Sequence, residues 1–169
     1  MNLVIIGICG PALSGKSTFG TMLGARVAER VGSSSVHHCP FAGPLKTFAR
    51  AMGWNGVKDD RGRRLLQLLG TECGRECIGP DAWVDQWRAL LPSRGYVIVD
   101  DVRFINEAEA VVSGCGHLFE LSRPGVAYSG HASERGLPPD VSRVQIGNSL
   151  GLAELAIAAH AWADAIVAG

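Results

Sequence analysis

A glycine-framed loop near the amino terminus carries the strongest chemical signal in the chain. Gly10, Gly15, Lys16 and Ser17 stand in the spacing Gly-x-x-x-x-Gly-Lys-Ser, which is the Walker A pattern. The two glycines let the backbone turn sharply, so that successive N–H groups point inward at a polyphosphate. Lys16 adds a positive charge for the β- and γ-phosphates, and the hydroxyl of Ser17 is a ligand for Mg²⁺. The spacing therefore predicts a phosphate-binding loop at residues 10–17, called the phosphate loop below.

A pair of acids supplies the second part of the same chemistry. The apolar run 95–99 predicts a buried strand, and Asp100 and Asp101 follow it directly. An apolar strand that ends in Asp is typical of a Walker B site, in which the carboxylate holds Mg²⁺ directly or through water. Strand alternation turns only one of the two acids toward the metal. Asp101 is the predicted ligand, although the sequence does not decide between the two, and an Asp that caps the next helix is the alternative.

A group of arginines supplies candidate anion-binding groups. Four arginines lie within residues 61–75, on a segment whose leucines form an apolar stripe. The stripe leaves Arg64, Gln67, Thr71 and Arg75 on or near another face. Because guanidinium groups bind phosphate oxygens in bidentate fashion, the group indicates anion recognition. A plain charged helix face is the alternative interpretation.

Strand and helix patterns alternate along the chain and must position these groups. Apolar runs predict strands at 3–6, 36–39, 95–99, 117–121 and 141–146. Helical spacing predicts helices at 16–31, from about 44 to 52, at 61–75, from 81, at 101–112 and at 150–167. Such alternation predicts an α/β fold, a parallel sheet with helices on both faces and ligands beyond the carboxyl ends of the strands. That rule brings Lys16, Asp101, Arg123 and Asn148 into one crevice.

Composition limits the classes of function. The 16 basic and 16 acidic residues balance, so that no global field favours nucleic acid or an anionic membrane. No apolar run approaches the ~18 residues of a membrane span, and we expect a soluble, cytoplasmic protein. Five scattered cysteines fit a reducing compartment. Zinc is disfavoured, because neither Cys73 with Cys77 nor the run 37–39 has the usual ligand spacing.

Five strings resemble the deoxynucleoside monophosphate (dNMP) kinases of bacteriophages. They are FAGPLK (41–46), LLQLLGTECGRECIGPDAWV (65–84), VDDVRFINEAEAV (99–111), LSRPG (121–125) and HASE (131–134). LGTE-x-GR and DVRF-x-NE are more specific than the Walker A pattern, and the resemblance covers nearly the whole chain. It implies a P-loop NTPase three-layer fold and transfer of the γ-phosphoryl of ATP to a dNMP with Mg²⁺. It also implies a host-cytoplasmic setting if the chain is encoded by a phage.

The resemblance further implies a division of labour along the chain. The kinase core would comprise residues 1–40, 95–122 and 140–169, the dNMP-binding helical region residues 41–92, and the lid residues 123–139. ATP would contact Ala12, Leu13, Ser14, Gly15, Lys16, Ser17, Thr18, Arg123 and Asn148. The dNMP would contact Phe41, Lys46, Arg64, Gln67, Thr71, Arg75, Trp83, Arg103, Glu107 and His131.

Individual roles follow from the same resemblance. Lys16, Asp101, Arg103 and Arg123 would be catalytic, with Ser17 and Asp101 holding Mg²⁺. Arg75 and Arg103 would clamp the acceptor phosphate, while Arg123, helped by Arg135, would close over the transferring group. Phe41 and Trp83 would stack on the acceptor base, Gln67 would bind its edge, and His131 and Glu134 would orient the lid or the acceptor.

Two other functions fit part of the pattern. A P-loop kinase could phosphorylate another small acceptor, such as dephospho-coenzyme A or a phosphorylated metabolite, because the fold is shared and the acceptor site differs. A nucleotide-dependent switch protein would need a base-reading Asn-Lys-x-Asp string, which the chain lacks. The expected partners are small nucleotides. Base preference, sugar discrimination and the choice between a monomer and a homodimer stay open at this point.

Overall fold

A parallel sheet of five strands is the framework of the fold in the computed structural model, which describes residues 2–114, 116–128 and 136–169. The strands are β1 (Leu3–Cys9), β2 (Val36–His38), β3 (Gly95–Val99), β4 (His117–Ser122) and β5 (Val144–Gly147). Their spatial order is β2-β3-β1-β4-β5, and each pairing between these strands is parallel. The predicted α/β architecture is confirmed.

Helices connect the strands and also form a separate unit. They are α1 (Lys16–Val31), α2 (Ala42–Ala51), α3 (Asp60–Gln67), α4 (Ala82–Ala89), α5 (Ile105–Val112) and α6 (Leu152–Ala168). The chain divides into a sheet unit, Met1–His38 with Pro92–Gly169, and a helical unit, Cys39–Leu91. No helix in the described part of the chain has both the length and the apolar character needed to cross a membrane.

Both faces of the sheet are covered by helices, as its apolar strands require. Ile8 of β1 belongs to one buried cluster with Phe19 of α1 and Leu155 of α6. Each fully buried side chain of this size contributes about 1.5–3 kcal/mol relative to an exposed one. On the opposite face, α5 comes so close that a Cβ on Gly7 would lie 2.9 Å from Cγ2 of Val111. Both faces of the sheet are therefore covered by helices. The candidate functional groups lie at the carboxyl ends of its strands.

The structure differs from the sequence prediction at several strand and helix boundaries, of which two have clear side-chain causes. The last strand begins at Val144 and not at residue 141, because Arg143 donates to the carbonyls of Pro138 and Val141 and holds the chain before it in a turn. The predicted helix 61–75 is α-helical only as far as Gln67, and it continues as a π-helical segment, Leu68–Glu76.

The π-helical segment has a side-chain cause. The carbonyl of Gly70 accepts hydrogen bonds from Arg75 Nη1 at 2.9 Å and from Trp83 Nε1 at 3.0 Å. These donors compete with the backbone for the carbonyl, and π-type turns are frequent where the helical ladder is disturbed in this way. Gly74 lies flat against the indole of Trp83, where a Cβ would be 2.7 Å from Cε2. Position 74 thus has no room for a side chain larger than that of glycine.

We predict that Gly74→Ala destabilises the helical unit by about 1–3 kcal/mol, because the added methyl group overlaps the half-buried indole of Trp83. Gly43→Ala is the matched control, since a Cβ there finds only Pro40 Cγ at 4.0 Å. In α2 that control should stabilise by up to about 1 kcal/mol through helix propensity. Denaturant unfolding followed by tryptophan fluorescence measures both; equal stabilities of the two variants would contradict the contact.

Candidate functional site

The phosphate loop joins the end of β1 to the start of α1 with a sharply turned backbone. Gly10 has φ +135° and Gly15 has φ +104°, values that side chains rarely adopt. A Cβ on Gly10 would also collide with the carbonyl oxygen of Leu121 in β4. Both glycines of the Walker A pattern are therefore required by the backbone. Leu13, at the exposed crest of the loop, has φ +66°, a left-handed conformation that costs a non-glycine residue about 1–2 kcal/mol.

Lys16 is folded back over the loop. Its Nζ donates hydrogen bonds to the carbonyl oxygens of Gly10, at 2.9 Å, and of Pro11, at 2.7 Å. Charged phosphate oxygens would be stronger acceptors for this ammonium group than neutral carbonyls. The arrangement therefore keeps the cation at the loop, where a phosphate can bind to it.

Ser14 and Asn148 link the loop to β5. The side-chain amide of Asn148 donates from Nδ2 to the carbonyl of Ser14 at 3.0 Å, directly after the end of β5. The hydroxyl of Ser14 is buried, and among the described residues it has no hydrogen-bond partner. A buried hydroxyl without a partner carries a desolvation penalty that a ligand oxygen can offset. Ser14 therefore fits a polyphosphate ligand, whereas Asn148 braces the loop backbone; its predicted contact with ATP stays a prediction.

The carboxylate beside Ser17 is that of Asp100. The Ser17 hydroxyl donates to Asp100, and Nε2 of His38, at the end of β2, lies 2.9 Å from Asp100 Oδ1. Although partial burial acts to raise it, the pKa of Asp100 is held below its usual value by these hydrogen bonds and by the charge of His38. The acid is thus ionised near neutral pH and lies next to a hydroxyl, a pair of oxygen ligands that suits Mg²⁺.

Strand alternation explains why Asp100 has this position. Tyr96 and Ile98 of β3 belong to the buried cluster that includes α1, and Asp100 continues the same alternation just beyond the strand. Its Cβ lies 3.6 Å from the Cβ position of Gly20 in α1. This placement favours Asp100 over Asp101 as the Walker B carboxylate, and metal binding by Asp101 stays a prediction.

Glu107 has a structural task at the start of α5. Its carboxylate is 3% exposed and accepts the backbone N–H groups of Arg103, at 2.8 Å, and Phe104, at 3.2 Å. With this cap the helix begins at Ile105, four residues after the predicted start at Asp101. The structure therefore assigns Glu107 to the backbone, and its predicted contact with the acceptor stays a prediction.

A cleft lies beside the phosphate loop within the sheet unit. Its lining includes Lys16 and Arg103, and also Tyr128, Gly136 and Leu137. Arg103 is exposed, so that Lys16 and Arg103 bring two positive charges to the cleft. Arg123 is also exposed and follows the end of β4, and Thr18 is exposed in the first turn of α1. The cleft can therefore receive an anion.

Cys9 also lines this cleft, but it is not a nucleophile. Burial, reinforced by the charge of Glu120, raises the pKa of the Cys9 thiol to about 12. The thiolate is the reactive form, and it is not populated near neutral pH. The cleft is therefore suited to binding and orienting phosphate groups, and this thiol takes no covalent part.

The helical unit brings some of its predicted site residues together. Arg75 and Trp83 both donate to the carbonyl of Gly70, so that a guanidinium and an indole lie side by side. Phe41 is only 2% exposed, and its ring lies 4.2 Å from that of Trp87, so that the structure gives it a packing role. Among the other predicted acceptor contacts, Arg64, Gln67 and Thr71 are exposed, and Lys46 is half-buried.

Other predicted residues lie outside the described part of the chain. His131, Glu134 and Arg135 are among them, and their predicted roles stay predictions. Sequence reasoning also missed a group beside the phosphate loop, formed by Glu120, Tyr128, Arg143 and Gln145. The signal for it was present, because Glu120 interrupts the otherwise apolar centre of the strand His117–Ser122.

The comparisons with known proteins concern the fold. Thymidylate kinase from Ehrlichia chaffeensis is similar in structure at a TM-score of 0.50 and 13% identity, over 94% of this chain and 96% of that chain. A sugar kinase from Janibacter sp. gives a TM-score of 0.45 at 17% identity, over 96% of this chain and 95% of that chain. No family model and no curated protein matches the chain. At 13% identity the likeness to the thymidylate kinase shows the fold alone, a parallel α/β sheet covered by helices.

We predict that Asp100→Asn removes the Mg²⁺-dependent part of ATP binding, because the amide keeps the shape of the side chain and loses its charge. We expect about tenfold weaker affinity in Mg²⁺ and little change in EDTA, measured by isothermal titration calorimetry. Asp101→Asn is the matched control. If Asp101→Asn lost the Mg²⁺ dependence and Asp100→Asn kept it, the assignment of the metal-facing acid would be reversed.

Proposed function

We propose that this chain is a kinase that transfers the γ-phosphoryl group of ATP to a deoxynucleoside monophosphate, giving a deoxynucleoside diphosphate and ADP. The observation that carries the proposal is the phosphate loop with Lys16 at its centre and Ser17 paired with Asp100 at its end. Phosphoryl transfer requires little covalent chemistry from a protein and depends on alignment and charge stabilisation. The sheet unit carries groups suited to both tasks.

The chain's own groups would act on the donor as follows. Lys16 would exchange its two carbonyl partners for oxygens of the β- and γ-phosphates, which keeps the triphosphate extended along the loop. Ser17 and Asp100 would hold Mg²⁺, which supplies charge neutralisation between the phosphates when bound. Arg103, exposed at the cleft, would stabilise negative charge on the transferring group. The exposed Arg123 is a second candidate for that role.

The acceptor class rests on the helical unit and on the strings that resemble phage dNMP kinases. Arg75 offers a guanidinium for a monophosphate, and Trp83, its neighbour on Gly70, offers an aromatic face for a base. Because stacking accepts any base, we expect several dNMPs to be substrates. A kinase acting on another phosphorylated small molecule is the competing proposal, since the same fold serves many acceptors.

An acceptor screen tests the proposal directly. ADP release would be measured by a coupled assay with dAMP, dGMP, dCMP and dTMP, with AMP and dephospho-coenzyme A as competitors, and without acceptor. We expect release that depends on a dNMP and that falls at least about a hundredfold in Lys16→Ala, which lacks the phosphate-binding charge. Turnover with dephospho-coenzyme A alone would reject the acceptor class, and ADP release without any acceptor would indicate a hydrolytic switch protein.

A second prediction concerns Arg75. If its guanidinium binds the acceptor equally in the ground and transition states, Arg75→Ala should raise the KM for the dNMP about tenfold or more and change kcat little. Arg88→Ala is the control, because Arg88 is an exposed arginine of the same unit that pairs with Asp85. Steady-state kinetics at saturating ATP separates the two constants. An unchanged KM in Arg75→Ala would remove this residue from the acceptor site.

A further inference from the structure

A buried carboxylate in β4 joins three chain segments beside the cleft. Glu120 is 9% exposed and accepts three side-chain hydrogen bonds: from Tyr128 Oη at 2.6 Å, from Arg143 Nε at 2.6 Å and from Gln145 Nε2 at 2.7 Å. These four residues are called the Glu120 cluster. Nothing in the chemistry of phosphate binding described above uses them.

The cluster lies directly beside the phosphate loop. In the sheet register Glu120 pairs with Cys9 of β1, the last residue before the loop, and with Gln145 of β5 on its other side. The next residue of β4, Leu121, presents its carbonyl to the space where Gly10 would otherwise carry a Cβ. The carboxylate is therefore fixed relative to the loop by the backbone of the sheet.

Arg143 extends the cluster to the backbone. Its Nη1 donates to the carbonyls of Pro138, at 2.7 Å, and Val141, at 2.8 Å, and its Nη2 donates to that of Leu137, at 3.3 Å. One guanidinium thus holds a whole turn and binds Glu120 at the same time. A planar fork with several donors can do this, whereas the single ammonium of a lysine cannot reach all these acceptors.

Tyr128 is the second link between the cluster and the cleft. Its ring packs against Gly136, whose φ is +79°. A Cβ at position 136 would lie only 2.8 Å from Cε2 of the ring. Tyr128, Gly136 and Leu137 line the same cleft as Lys16 and Arg103. The cluster therefore holds these three lining residues, called the wall below, in place.

We propose that Glu120 and Arg143 are positioning residues, which hold Tyr128 and the 136–141 turn as the wall of the phosphate cleft during phosphoryl transfer. The proposal rests on the proposed kinase function. Buried ion pairs contribute little net stability compared with apolar residues of similar volume. The side chains of Glu120 and Arg143 are each 11% exposed, and they lie toward the carboxyl ends of the strands, where ligands bind in such sheets. We therefore expect the pair to contribute more to positioning than to stability.

An apolar replacement of the whole pair separates position from stability. The double variant Glu120→Leu with Arg143→Leu leaves no unpaired buried charge, so that it should lose less stability than either single variant, although Tyr128, Gln145 and three carbonyls each lose a hydrogen-bond partner. We expect kcat for dNMP phosphorylation to fall at least tenfold, while the Kd of a fluorescent ATP analogue changes less than threefold. Wild-type kcat in the folded double variant would overturn the proposal.

Two further variants serve as control and conservative test. The control is Arg26→Leu with Asp164→Leu, which removes another arginine–carboxylate pair of the sheet unit, away from the cleft, and should leave kcat unchanged. Arg143→Lys keeps the charge and loses the fork, and it should lower kcat by an intermediate factor. Should the double variant fail to fold, a wild-type kcat in Arg143→Lys would refute the proposal.

Hydrogen exchange makes the outcome independent of catalysis. In Arg143→Lys the amides of residues 136–142 should exchange faster than in the wild type, with protection in β1 and α1 unchanged. If the wild-type chain phosphorylated no dNMP, the kinase proposal would fail while the exchange data still decided whether the cluster holds the wall. Unchanged exchange at 136–142 would show that Arg143 does not hold this turn.

Discussion

The phosphate loop keeps its shape because its neighbours in the sheet unit hold its backbone from several sides. The carbonyl of Leu121 leaves room only for a glycine at position 10, the amide of Asn148 binds the carbonyl of Ser14, and the ammonium of Lys16 closes over the carbonyls of Gly10 and Pro11. These contacts order the loop before any ligand binds. Pre-ordering matters for phosphoryl transfer, because groups already in position need not reorganise as charge moves.

Two carboxylates at the carboxyl ends of the strands do different work because strand alternation sends them to opposite faces. Asp100 lies on the face covered by α1, next to Ser17. Glu120 alternates with Phe119 and Leu121, which belong to the buried cluster, and therefore lies on the other face with Arg143. The first lies next to the hydroxyl of Ser17 and to His38, and the second accepts hydrogen bonds from Tyr128, Arg143 and Gln145.

The likeness to the thymidylate kinase concerns the fold, and at 13% identity it does not extend to a substrate. Acceptor choice belongs to particular side chains and not to the fold. In this chain the relevant unit has a feature of its own, a π-helical segment in which Arg75 and Trp83 share the carbonyl of Gly70. This shared carbonyl holds a guanidinium and an aromatic ring side by side within the helical unit.

The sequence by itself determined the elements whose causes are local. The Walker A glycines, the apolar strand before them and the alternation of strands with helices led to the correct fold, because turn geometry and periodicity depend on residues close in the chain. Only the tertiary structure decided that Asp100 lies beside Ser17, that Glu107 caps α5, that Phe41 packs on Trp87, and that Glu120 gathers Tyr128, Arg143 and Gln145. Apart from the cap, these contacts join residues from different elements. They depend on strand register and packing, which no single stretch of sequence contains.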